Sequence, residues 1–240
     1  MINPDNREPG QETEQEKIER EVREAREEFS RPVPEEYKKI IRQGPRIGFP
    51  DESFVLEHID EEKAVPFLKK YIENRDVIDC GCGDLAGSRA IAEIAEIDGA
   101  KRYTGIDFQY PPFSKYVDQR TLAEAERQHG AKAFNLPEAN GLVAPGRFGE
   151  MPVAVVQGEM LMTLAKMKDG ESPKFFVFAG VQGGVKEYFE CLVAELNRLC
   201  QKGDAVLEIG MNKDLGKILE ERNFKREFAK GCDSFLFIKQ

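Results

Sequence analysis

The stretch Asp76-Val77-Ile78-Asp79-Cys80-Gly81-Cys82-Gly83-Asp84-Leu85-Ala86-Gly87-Ser88 constrains this chain more than any other. A short apolar run ends in the carboxylate of Asp79 and two glycines, and a helical pattern of apolar residues follows at once. That order describes a buried strand turning tightly into a helix. Glycine lets the backbone approach a ligand closely, and a helix start offers N–H groups and a positive dipole end. About twenty-five residues later a second strand-like run, Tyr103-Thr104-Gly105-Ile106-Asp107-Phe108, also reaches a carboxylate near its end. In doubly wound folds an acid at the tip of the second strand holds a ribose. A nucleoside cofactor lying across two strand tips is therefore expected.

Length and charge narrow the remaining possibilities. A chain of 240 residues can bury a sizeable α/β core without disulfide staples. The net charge of −9 argues against a protein that grips nucleic acid by its phosphates, which takes a basic face. Residues 1–30 hold ten acids and five bases, so this tail supplies −5 and the body only −4. The five cysteines, Cys80, Cys82, Cys191, Cys200 and Cys232, are odd in number and scattered, which favours a reducing, cytoplasmic setting. Cys80 and Cys82 stand too close together for the usual zinc pair, and His58 and His129 do not complete one, so no metal is expected. No apolar run reaches the ~18–20 residues of a membrane span.

Three parts are expected along the chain. Residues 1–30 are a charged tail, partly disordered and partly helical, with Glu16–Arg20 and Glu19–Arg23 pairs four apart and a thin stripe of Ile18, Val22, Ala25 and Phe29. A solvated, fraying helix is the preferred reading of 15–29, and weak self-association through it the sharper one. Residues 31–75 form a helical segment: a short helix from Glu35 to Arg42, a loop from Gln43 to Pro50, and a helix from Asp60 or Glu61 with Val65, Phe67, Leu68, Tyr71 and Ile72 inward. Phe49, Phe54 and His58 read as a lid over the cofactor or, at least as well, as a loop packed on the first helix.

The main domain is expected over 76–240, with an insertion at about 109–150. After the glycine turn, Ala90, Ile91, Ile94, Ala95 and Ile97 mark a helix ended by Asp98-Gly99. Residues 109–150 read as a proline- and glycine-broken stretch with a short helix at Thr121–Gln128 and a long loop after it. Regular alternation then resumes. Strands are expected at Val153–Gln157, Phe175–Ala179 and Ala205–Ile209, helices at Met160–Met167, Val185–Leu199 and Asp214–Arg222, and a closing hairpin of Phe224–Lys230 and Ser234–Lys239. The expected fold class is α/β: a doubly wound, seven-stranded, mostly parallel sheet with a C-terminal antiparallel β-hairpin and helices on both faces.

Over roughly residues 60–240 this pattern resembles the class I S-adenosylmethionine-dependent methyltransferases, with their Rossmann-like, seven-stranded sheet. Asp79-Cys80-Gly81-Cys82-Gly83 is similar to that family's acidic-x-Gly-x-Gly signature, Asp107 stands where its ribose-binding acid stands, and Gln157-Gly158-Glu159 matches its adenine-edge position. The resemblance implies S-adenosyl-L-methionine as cofactor, with Asp79, Gly81, Cys82, Gly83, Asp107, Phe108, Gly158 and Glu159 as its binding residues. It also implies methyl transfer; the low basic charge favours a small-molecule or protein acceptor over nucleic acid, and no membrane partner is expected. The chain departs from the pattern after its fourth strand. Phe178-Ala179-Gly180-Val181-Gln182-Gly183-Gly184 has neither the acid nor the Asn-Pro-Pro-aromatic motif often found there, which argues against the branch that methylates adenine and cytosine amines and names no catalytic base.

Two rivals stand beside this reading. Gly81-Cys82-Gly83-Asp84-Leu85-Ala86 also fits the G-x-G-x-x-G/A turn of an NAD(P)-dependent oxidoreductase, but Asp79 would then face a pyrophosphate. A methyltransferase-like fold without a strand-four acid could instead serve as an inactive binding or scaffold module. Tyr110, Glu159 and Tyr188 are candidates near the strand tips, each with a packing or cofactor-contact reading at least as good as a catalytic one. His129 reads as the imidazole of a helix C-terminus followed by glycine.

Overall fold

In the computed structural model, residues 12–47, 60–82, 88–107, 134–135, 143–170, 172–210, 212–229 and 234–240 are described. Nine of their strands form one long sheet whose core is the parallel set β2 (Asp76–Cys80), β3 (Arg102–Asp107), β6 (Met151–Gln157), β7 (Lys174–Ala179) and β9 (Ala205–Ile209). Adding β4 (Phe134–Asn135), β5 (Val143–Phe148), β10 (Phe224–Phe228) and β11 (Ser234–Lys239) gives nine strands in the order β10-β11-β9-β7-β2-β3-β6-β5-β4. A separate two-stranded piece joins β1 (Arg46–Ile47) to β8 (Val181–Gln182).

The sheet's centre is apolar on both faces because helices cover both. β7, Lys-Phe-Phe-Val-Phe-Ala, is buried at every position, as a strand sandwiched between two layers must be. One face packs α3 (Glu61–Ile72) and α4 (Ser88–Ile97) through Leu68, Ile72, Ala92 and Ala95 onto Val77, Val155 and Val177. The other packs α2 (Glu35–Ile40), α5 (Met160–Lys166), α6 (Lys186–Leu199) and α7 (Lys213–Glu221) onto Ile78, Ile106, Phe176 and Val206. Alternate residues of one strand thus serve two different cores.

The doubly wound sheet with its antiparallel terminal hairpin is the expected fold class, and the seven expected strands are present. The insertion adds to them. Val143–Phe148, expected as loop, turns through Gly149 (φ 55°) and pairs antiparallel with β6 from Phe148↔Met151 to Val143↔Val156. Pro145 hid this strand from a sequence reading; in the register it stands opposite Ala154 of β6.

Three further expectations change. Gln43–Pro50 is not wholly loop, since Arg46–Ile47 is a strand. Ile97, placed in the inward stripe of α4, is 57% exposed, as the last residue of the helix. The tail helix α1 (Glu14–Glu28) opens with a capping box at Thr13 and Glu16 and lies along β5 of its own chain. Its end is fixed rather than frayed: Lys168 N donates to Glu28 O (2.8 Å), Arg31 N to Lys166 O (3.0 Å), and Arg102 clasps the Glu28 carboxylate through two nitrogens at 2.8 Å.

The element order also fixes where a ligand can sit. From β2 the chain steps outward to β3 and β6, then returns past β2 to β7 and continues outward to β9. Connections leave β2 and β7 on opposite faces, through α4 and α6. Such a switch point opens a crevice at the carboxyl ends of the strands.

Candidate cofactor site

At that crevice the tips of β2, β3 and β6 bring the expected residues side by side. Asp79 stands one pair from the end of β2, and Asp107 closes β3 in register with Gln157 of β6. Gly158 N donates to Asp107 O at 2.8 Å, tying the third tip to the second. Asp107 is half-buried, the exposure a carboxylate needs to meet a ligand from solvent while keeping a fixed direction.

Asp79 is differently placed. It is 1% exposed, and the Tyr103 hydroxyl donates to its Oδ2 at 2.7 Å. Tyr103 faces Val77 in register, so it reaches the next residue but one on the same face of β2. Sequence reasoning missed this partner, although a tyrosine diagonal to a strand-tip acid is a readable pattern once the register is known. One carboxylate oxygen is therefore committed to holding the strand pair.

The glycine turn behaves in the same way. Gly81 adopts φ 103°, which favours glycine, and both Gly81 N (2.7 Å) and Cys82 N (3.1 Å) donate to Ile106 O. These two amides lock the turn onto β3 rather than pointing outward. Gly83 and Phe108 lie outside the described residues, as do Tyr110, His58, His129 and Cys232.

Cys82 fills the space between the two acids. A side chain on Gly105 would come within 2.9 Å of the Cys82 sulfur, so that glycine is what admits the thiol. Burial, then the charges of Asp79 and Asp107, push the Cys82 thiol well above its ordinary range, and burial does the same to Cys80. Both stay protonated, poor metal ligands and poor nucleophiles. Among the described residues, no group of three or more His, Cys, Asp or Glu side chains is placed to hold a metal ion.

Glu159 begins α5. Its Oε2 accepts from Met162 N at 2.9 Å, capping the helix, and its Oε1 accepts from the Tyr188 hydroxyl of α6. Burial and the Glu159 charge push the Tyr188 phenol far up, so it remains a donor. Tyr188 is thus a packed bracket for Glu159, not a base. Each carboxylate oxygen keeps a second lone pair for a ligand amino group.

The fourth strand's exit is closed by a strap. β1 pairs with β8, Arg46 against Gln182 and Ile47 against Val181, immediately beyond β7. Asn212, after β9, donates its amide to Gly183 O (3.2 Å) and Val181 O (3.5 Å) while its oxygen caps α7. The segment that lacks an acid is instead held by backbone pairing and by this asparagine. A cavity of about 580 Å³ lies at the opposite, amino edge, between Glu27 and Glu28 of α1 and Arg102 and Lys174 of the sheet. We assign no chemistry to it: its wall includes the Glu28–Arg102 pair, and the convergent strand-tip residues lie elsewhere.

No family model and no curated protein matches the sequence. Solved structures do. A SAM-dependent methyltransferase from Aquifex aeolicus is 16% identical over 78% of this chain and 96% of that one, at a TM-score of 0.42. Cofactor-bound Rv0187 from MTB is 15% identical over 85% and 87%, also at 0.42. Precorrin-6y C5,15-methyltransferase from Geobacter metallireducens is 12% identical over 74% and 87%, at 0.41.

Proposed function

We propose that this chain is an S-adenosyl-L-methionine-dependent methyltransferase acting on a small-molecule or protein acceptor in the cytoplasm. The observation that carries the proposal is the half-buried Asp107 carboxylate at the tip of β3, beside the Asp79–Cys82 turn and in register with the β6 tip that leads to Glu159. A carboxylate so placed can accept from both ribose hydroxyls at once. Glu159, held by Met162 N and Tyr188, offers an acceptor toward the adenine amino group. Asp79 and Asp107 together give the crevice the negative character that a sulfonium and an ammonium require.

S-adenosylmethionine supplies a methyl group already activated on sulfur for in-line displacement, so the protein's task is alignment and exclusion of water. That division of labour suits a β7 exit with no acid, Gly180 to Gly184, held by the strap. The acidic balance of the chain favours a small or proteinaceous acceptor over nucleic acid. No helix among the described residues is long and apolar enough to cross a membrane.

Calorimetric titration tests the reading. S-adenosylhomocysteine is expected to bind and nicotinamide dinucleotides are not. Asp107→Ala should weaken the former by about 10²-fold or more, the loss of two charge-assisted hydrogen bonds, with an unchanged melting curve. Binding of the dinucleotides alone would make the chain an oxidoreductase, and binding of neither would leave the scaffold reading.

A further inference from the structure

β10 is the outermost strand on its side of the sheet, and among the described residues it pairs with β11 alone. An open edge presents unpaired backbone donors and acceptors to any extended chain of matching pattern. Its sequence, Phe224-Lys225-Arg226-Glu227-Phe228, has apolar ends and opposite charges placed symmetrically about Arg226. We propose that this edge is a self-association surface, on which β10 of a second copy pairs antiparallel about Arg226 and continues the sheet across a two-fold axis.

The register follows from the side chains. Pairing about Arg226 sets Lys225 opposite the second copy's Glu227, twice, on the face that carries Tyr71, whose hydroxyl donates to Glu227 at 3.3 Å. On the other face it sets Phe228 opposite the second copy's Phe224. Phe228 is 63% exposed, an uncommon exposure for a phenylalanine on a sheet, and already stacks edge-on against Phe235 with centroids 6.1 Å apart. Phe224 is itself 3% exposed, packed in its own core, so it is the partner's strand lying alongside that would shield the exposed Phe228 ring.

Within Phe224–Phe228 the like charges that meet are the two Arg226 side chains, and each is drawn off the axis. The Arg226 guanidinium lies 3.7 Å over the Phe235 ring and 3.8 Å from the Glu220 carboxylate. A dyad at Lys225 or at Glu227 would instead set two lysines or two glutamates face to face, so alternative registers are disfavoured. Five residues make a small interface, and a concentration-dependent monomer–dimer equilibrium is expected rather than an obligate dimer.

Sedimentation equilibrium of the full chain across a concentration series tests this. The wild type should rise toward two chains in mass. Glu227→Lys and Lys225→Glu should each raise the dissociation constant by about tenfold or more, since each turns two attractive pairs into repulsive ones. The double variant Lys225→Glu/Glu227→Lys should recover most of the loss, because the pairs are reversed but complementary. Circular dichroism confirms that each variant is folded, and Phe228→Asp, on an exposed side chain, gives a second disruption independent of the charges. A wild type that stays monomeric throughout overturns the proposal. So does a double variant no tighter than the singles, or a Phe228→Asp protein that associates as the wild type does.

Discussion

Gly158 has no room for a side chain: a methyl there would lie 2.3 Å from the Thr163 hydroxyl oxygen. Gly158→Ala should cost about 1–3 kcal/mol in urea unfolding, and Thr163→Ala, which removes that oxygen, should make the double variant more stable than the sum of the single losses predicts. Glu208 in β9 makes a second residue-scale case. It is 2% exposed, Asn212 N donates to its Oε1, and its Oε2 has no hydrogen-bond partner among the described residues. Burial pushes its carboxyl up from 4.5 to about 7. Between those values the folded protein keeps a proton that the unfolded chain releases, so this group's contribution to stability is greatest at low pH, falls as pH rises toward 7, and is a full penalty above 7. Glu208→Gln should therefore flatten the pH dependence of the melting temperature between about 5 and 7 and raise stability above 7, by up to about 2–3 kcal/mol. Asp79 shows what a sequence can and cannot reveal at this scale. Its place at a strand tip is legible from Val77-Ile78-Asp79 and the glycines, but its bond to Tyr103 depends on how β3 is registered on β2.

At the scale of elements, the helices and the apolar strands were legible because each carries its own period. α6 and β7 announce themselves through Tyr188, Leu192 and Leu196 and through an unbroken apolar run. β5 and β1 were not, because β5 contains Pro145 and Gly146 and β1 is two residues long; both exist by pairing with a strand the local pattern does not mention. α1 falls between these cases. Its helicity is plain from its charge pairs, while its attachment rests on Arg102, which comes from β3 some seventy residues on. The Glu28–Arg102 pair is bidentate and about three-quarters shielded, with Asp76 at 3.7 Å from the same guanidinium. Glu28→Ala should loosen α1 by about 1–2 kcal/mol while leaving the sheet's own unfolding within about 0.5 kcal/mol. Limited proteolysis should then cut between residues 14 and 30 faster than in the wild type; an unchanged rate would mean that the backbone bonds of Arg31 and Lys168 suffice to hold the helix.

For the whole molecule, the order of strands fixes one working edge, where β2, β3, β6, β7 and β9 all end, and sets β10 on one flank of the sheet and β4 on the other. The strap across that working edge joins residues about 135 positions apart in the chain. Most of the sheet's neighbours are joined by much shorter excursions, so the loop closed by β1 and β8 has the larger entropy to overcome. A two-stranded piece of this size has no stability of its own; it depends on β7 and α6 being in place before Arg46 and Ile47 can find Val181 and Gln182. High separation in sequence therefore becomes an order in time. The strap should be the last part of the fold to form and the first to open, and hydrogen exchange should show its amides releasing at a free energy well below that of β2 and β7. The strap would then open and close locally while the core stays intact, at a rate set by how quickly two short segments part and meet again.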